Sequence, residues 1–159
     1  MTRAFERIID VEATPDQVFA RLDDQTRLAA HMQRRSAMMG GGRMTYEFDE
    51  GRGQAVGSHI RMGGSALGLS LAVDEVVTER DPPRRKVWRT AGATRLIILD
   101  AYEMGFDLAS TPRGSRLRVR ITYALPKGVA GRLLGLVLAS AYARWCVSQM
   151  ARDAAEQRG

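Results

Sequence analysis

The stretch 131–147, GRLLGLVLASAYARWCV, decides the fold. Plotted at about 100° per residue it is apolar around nearly its whole circumference, and a helix of that kind is buried in protein or in a membrane. Arg132 and Arg144 are its only charges, and the run between them is eleven residues, against roughly 20 for a bilayer span. The reading is therefore a buried helix from about Val129 to Glu156. Gly131, Gly135 and Ala139 form a row of small residues spaced by four. Such a row lets another backbone approach closely, as between membrane helices or where a helix packs on strands. The last turns, SQMARDAAEQRG, regain polarity and are expected to project into solvent.

What the helix lies against is read from the residues before it. RLRVRITYAL, 116–125, alternates strictly, with Leu117, Val119, Ile121, Tyr123 and Leu125 on one face and Arg116, Arg118 and Arg120 on the other. One covered and one solvated face is the pattern of an antiparallel strand. The same period of two runs through RMTYEF (Met44, Tyr46, Phe48), SHIRM (Ile60, Met62) and ALGLSLAVDEVV (Leu67, Leu69, Leu71, Val73). RKVWRT and RLIILDAYEMGFDLA read as two strands joined across TAGA. EGRGQAVG, ERDPPRR and STPRGS read as turns. At the start, FERIIDVEA is a strand. Thr14, Pro15 and Gln17 then make a capping box with proline at the first helical position. Asp23 or Asp24 caps a second short helix, DQTRLAAHMQRR, which fades before the glycines at 40–42. The order is strand, two short helices, about six strands, one long helix. Only the last element is long enough to cover the apolar face of the sheet.

Length and composition fit one domain, 1–159, with an ordinary globular balance of 45% hydrophobic and 26% charged residues. The N-terminus shows no apolar signal-peptide core, and a cytoplasmic location is expected. Cys146 is the only cysteine, which excludes an internal disulfide and a cysteine-based zinc cluster. The net charge of +6 invites an anionic partner. However, 22 of the 24 basic residues are arginines scattered along the chain, and only Lys86 and Lys127 are lysines. No DNA contact is expected.

The element order resembles the helix-grip fold of the START-like (SRPBCC) superfamily, which includes polyketide cyclase/dehydrase-like proteins, Bet v 1-like allergens, lipid-transfer START domains and coenzyme Q-binding proteins. The residues carrying the resemblance are ERIIDVEATPDQVFARLDD, VDEVVTERDPPRRKVWRT, GSRLRVRITYALP and GRLLGLVLASAYARWCVSQMARDA. It implies an α+β fold in which a curved antiparallel sheet of six or seven strands grips the terminal helix over a ligand cavity. Where such proteins usually carry a tryptophan after the second helix, this chain reads HMQRRSAMMGGGRM, which implies a glycine-rich lip at the entrance.

The expected cavity walls are the inward strand residues Tyr46, Phe48, Met62, Leu69 and Leu71, then Trp88, Tyr102, Met104 and Tyr123. Leu134, Leu138 and Trp145 would face them from the helix. Met38, Met39 and Met44 add adaptable apolar surface. No nucleophile–base pair, phosphate loop or metal-ligand cluster is legible, and no cofactor or metal is expected. His31 and His59 lie on different elements. Asp100 shares the parity of Ile98 and Tyr102, which places a carboxylate inside, unless a bulge near 99–101 turns it outward or Arg61 or Arg95 pairs with it.

Three functions remain open. The cavity binds a small hydrophobic molecule such as a lipid, quinone or polyketide-like compound. Or it catalyses a cyclase/dehydratase-type reaction with Asp100, Tyr102 and Tyr123 as the candidate groups. Or the arginine face of the sheet docks to RNA or an anionic membrane, unless carboxylates such as Glu75, Glu103 or Asp107 neutralise it.

Overall fold

The computed structural model describes residues 2–27, 43–66 and 68–156. Seven strands form one sheet: β1 (Thr2–Val11), β2 (Arg43–Phe48), β3 (His59–Ala66), β4 (Leu69–Asp81), β5 (Arg85–Arg95), β6 (Tyr102–Thr111) and β7 (Gly114–Ala124). Every neighbouring pair is antiparallel, and the spatial order is β1-β7-β6-β5-β4-β3-β2. Helix α1 (Pro15–Asp23) follows β1, and the long helix α2 (Val129–Ala155) ends the described chain. This is the helix-grip arrangement, a curved open sheet with its terminal helix laid across it.

Local sequence explains most boundaries. Thr14 caps α1 by accepting from the Gln17 N–H at 3.3 Å, while the Gln17 side chain accepts from the Thr14 N–H at 3.1 Å. Asp24 starts a further helical turn, accepting from the Thr26 N–H at 3.0 Å. The rest of the expected second helix, with His31, Met38, Met39 and the glycine-rich lip, lies outside the described residues, as does Leu67. Strand β7 alternates as its sequence demands: Leu117, Val119, Ile121 and Tyr123 are buried, and Arg116 and Arg118 are exposed.

Two strand boundaries differ from the sequence reading. TAGA does not separate strands, because β5 runs through it to Arg95 beside β4, with Gly92 at φ +65° and a slip in register between Ala72 and Asp74. Conversely, residues 96–101 are irregular and β6 begins only at Tyr102. The period-two count that places Asp100 inside crosses that break and loses its meaning there.

The helix departs further. Its buried residues are Gly135, Ala139, Ala143 and Val147, then Met150, Ala151, Asp153 and Ala154. The small-residue row is the packing face: a Cβ on Gly135 would stand 3.0 Å from Leu125 Cδ2 and 3.2 Å from the Ile98 carbonyl. The end expected in solvent is docked, with Ala154 fully buried and its carbonyl accepting from Arg21 of α1 at 2.8 Å. The first half, expected to be buried, exposes Val129, Leu133, Leu134, Leu136, Val137 and Leu138. Among the described residues no helix is long and apolar enough to cross a membrane.

Candidate functional site

The main core lies between α1, the second half of α2 and strands β1, β7 and β6, and includes Val18, Leu22, Phe106, Leu117, Val119 and Val147. A smaller apolar cluster joins Met44 and Leu71 to Tyr46, Met62 and Ile97. Tyr142 packs against both. A cavity of about 110 Å³ opens where they meet. Its apolar walls are Tyr46, Met62, Trp88, Leu99, Met104, Ile121, Tyr142 and Met150, and Gln25, Glu75, Tyr102, Cys146, Gln149 and Asp153 bring polar atoms to it.

Of the wall residues expected from sequence, the structure brings Tyr46, Met62, Trp88, Tyr102 and Met104 together. It places the others elsewhere. Tyr123 and Leu71 are buried in packing. Phe48 stacks on Tyr46 beside the cavity, ring centroids 6.4 Å apart. Leu69 is the last pair of the β3–β4 hairpin and is exposed. Leu134 and Leu138 lie on the exposed half of α2, and Trp145 leans on Tyr142 at 5.8 Å from outside the walls. Asp100 is half-buried in the irregular segment, where its N–H donates to the Ala124 carbonyl at 3.0 Å and its carbonyl accepts from Thr94. Leu99, not Asp100, reaches the cavity.

Of the two carboxyl groups that line the cavity, Glu75 on β4 and Asp153 on α2, Glu75 is only 6% exposed and bonded to Tyr102. It continues the inward parity of Leu71 and Val73 on β4. Tyr102 donates its hydroxyl to Glu75 Oε1 across two intervening strand pairings. Burial pushes the Glu75 carboxyl up to about 7; the Tyr102 hydrogen bond, the Lys86 charge and the Trp88 indole each pull it back. Burial, with the neighbouring Glu75, raises the phenols of Tyr46 and Tyr102. Burial likewise raises the Tyr142 phenol and pushes the Cys146 thiol up to about 12, so that Cys146 carries its proton and is no nucleophile.

Beneath this site Lys86 is fully buried and Asp23 nearly so. Lys86 Nζ lies 2.8 Å from Asp23 Oδ1 and 5.9 Å from the Trp88 ring centre, and Arg80 binds the same carboxylate at 2.8 Å. This network ties the end of α1 to β4 and β5 and gives Trp88 and Glu75 a cation beside them. Desolvation lowers the Lys86 ammonium and the Asp23 pair counters it. Gln25, just beyond Asp23, is 6% exposed, and its side-chain N–H₂ has no hydrogen-bond partner among the described residues. Sequence reading missed Glu75, Gln25 and Tyr142. Parity marked Glu75, but nothing in the periodicity marks Gln25. Among the described residues no three His, Cys, Asp or Glu side chains converge to hold a metal.

The arrangement therefore offers a small apolar space, a carboxyl that burial pushes toward neutrality with a phenol on it, and one amide donor, that of Gln25, without a partner among the described residues. The backbone matches several solved structures. Norcoclaurine synthase from Thalictrum flavum superposes with a TM-score of 0.66 at 15% identity, over 98% of this chain and 85% of that one. Protein CV1439 from Chromobacterium violaceum gives 0.63 at 16%, over 96% and 94%. The di-domain ARO/CYC BexL of the BE-7585A biosynthetic pathway gives 0.63 at 19%, over 99% of this chain and 51% of that one. At these identities the likeness shows a common fold. No curated protein sequence matches the chain significantly. Residues 2–155 match the family described as polyketide cyclase/dehydrase and lipid transport, and the chain belongs to that family.

Proposed function

We propose that the cavity takes up a small, largely apolar molecule with a single ring and an oxygen function, held by its face against the Trp88, Tyr142 and Met104 walls. The observation that carries this reading is the apolar cavity of about 110 Å³, partly open to solvent, with the buried carboxyl of Glu75 in its wall. Apolar cavities of roughly 150 Å³ hold benzene; this one is somewhat smaller but partly open, a size that suits one ring reaching in from the opening rather than a long acyl chain. The Gln25 amide, without a partner among the described residues, supplies a donor for the guest's oxygen, and Glu75 accepts from a guest hydroxyl. A structural relative, norcoclaurine synthase, has been solved with dopamine and hydroxybenzaldehyde, each a one-ring molecule.

The test is a titration with 4-hydroxybenzaldehyde, followed by Trp88 fluorescence in a Trp145→Phe background. Saturable quenching is expected, and Met62→Phe, which fills the cavity from the outer-strand side without adding a fluorophore to Trp88, removes it. Quenching that never saturates, or that survives Met62→Phe, overturns the reading.

The Glu75–Tyr102 pair also favours a second reading, a cyclase/dehydratase-type reaction. A carboxylate near neutrality can take a proton from the carbon next to a guest carbonyl and return it to the departing oxygen, while Tyr102 or Gln25 polarises the carbonyl. In that case Glu75→Gln keeps the ligand binding and loses turnover of a β-ketone substrate.

A further inference from the structure

The first half of α2 has its large and small side chains on the wrong sides for a helix whose surroundings are water. Gly135, Ala139 and Ala143 face the protein. Val129, Leu133 and Val137, spaced by four, are 79%, 61% and 72% exposed, and Leu136 beside them is 44% exposed. A contiguous outward apolar stripe of this kind marks a contact surface. Its electrostatics are one-sided. Along α2 and the turn before it, residues 126 to 152 hold no Asp or Glu and four basic residues, Lys127, Arg132, Arg144 and Arg152. Lys127 and Arg132 are exposed at the same end of the helix as the stripe.

We propose that this half of α2 docks onto an anionic lipid surface, with Val129, Leu133 and Val137 entering the headgroup boundary and Lys127 and Arg132 meeting its charge. The helix cannot span a bilayer, but an apolar stripe flanked by cations suits a helix lying in the interface plane. Basic residues near such a surface gain attraction to anionic lipid that screens with salt. A second copy of the chain is the competing occupant. A twofold pairing through this face would bring Arg132 and Lys127 toward their own counterparts with no acid on the helix before Asp153, about six turns away and buried, to offset them, so charge favours lipid.

Co-sedimentation with vesicles of phosphatidylcholine, with and without phosphatidylglycerol, tests this. The protein is expected to bind the anionic vesicles at low salt, to bind the neutral ones far less, and to release as salt rises. Leu133→Glu with Val137→Glu should reduce the bound fraction by about tenfold while leaving thermal unfolding unchanged, since both positions are exposed. Arg132→Gln, which keeps the stripe, should weaken binding and flatten its salt dependence. No binding to anionic vesicles at low salt overturns the proposal, as does equal binding by the double variant. Light scattering that shows a dimer, dissolved by the double variant, assigns the stripe to a second copy and overturns it equally.

Discussion

Glu75 faces inward between Val73 and Val77, where water is withdrawn from its carboxyl. Its folded-state value of about 7 compares with an ordinary 4.5. Below 4.5 both folded and unfolded chains hold the proton, and burial costs no charge. Between 4.5 and about 7 the unfolded chain releases the proton and the folded chain keeps it, so stability falls as pH rises. The loss is complete above about 7 and amounts to something on the order of 3 kcal/mol. Urea midpoints at pH 4.5 and pH 8 should show this fall in the natural protein, and Glu75→Gln should remove most of it. Equal pH dependence in both proteins would place the titration elsewhere. The residue was legible in principle, because Leu71, Val73 and Val77 give Glu75 the buried parity. Reading it as an outward partner for arginine gave its polarity more weight than its period. At Asp100 the two alternatives separate: the period that would place it inside is interrupted at 96–101, as a break near 99–101 requires.

At the scale of elements, regular alternation was enough to place the strands, and a capping box enough to start α1. Alternation does not report bulges, so the course of β5 through Gly92 and the break at 96–101 needed three dimensions. The helix and the packing of its small-residue row on the strands are as the sequence suggests, while the expectation that Leu134 and Leu138 also face inward is not, because a stretch apolar on all sides contains no direction. The small side chains supply that direction: Gly135 sits where Leu125, Pro126 and the Ile98 carbonyl leave no room for a side chain. Gly135→Leu should therefore destabilise the fold by about 1–3 kcal/mol despite its better helix propensity. Val137→Ser, on the exposed stripe, should change stability by less than about 0.5 kcal/mol. Chemical denaturation distinguishes the two, and equal costs would mean that α2 packs through a different face.

Across the whole molecule, charge is divided unevenly between the two sides of the sheet-and-helix sandwich. The arginine row on β7, which alone suggested an RNA or membrane face, lies beside the acids of β1: Arg116 Nε is 2.9 Å from Asp10 Oδ1, and Arg118 Nε is 3.9 Å from Glu6 Oε2. On the other flank Arg85 meets Glu79 at 2.9 Å and Asp107 at 2.6 Å. The β1–β7 register sets Glu6 opposite Arg120 and Asp10 opposite Arg116, a pairing that no reading of β7 alone could supply. Exposed pairs of this kind add little stability, but they cancel the field a polyanion would sense. Heparin retention should therefore respond weakly to Arg118→Glu with Arg120→Glu. It should rise in Glu6→Gln with Asp10→Asn, which unmasks the row without adding a cation. Strong retention in the natural protein, abolished by the arginine changes, would restore the sheet as a binding face. Retention that is modest, insensitive on the sheet and reduced by Arg132→Gln would locate the excess charge on α2, where no acid of the helix's own first six turns opposes it.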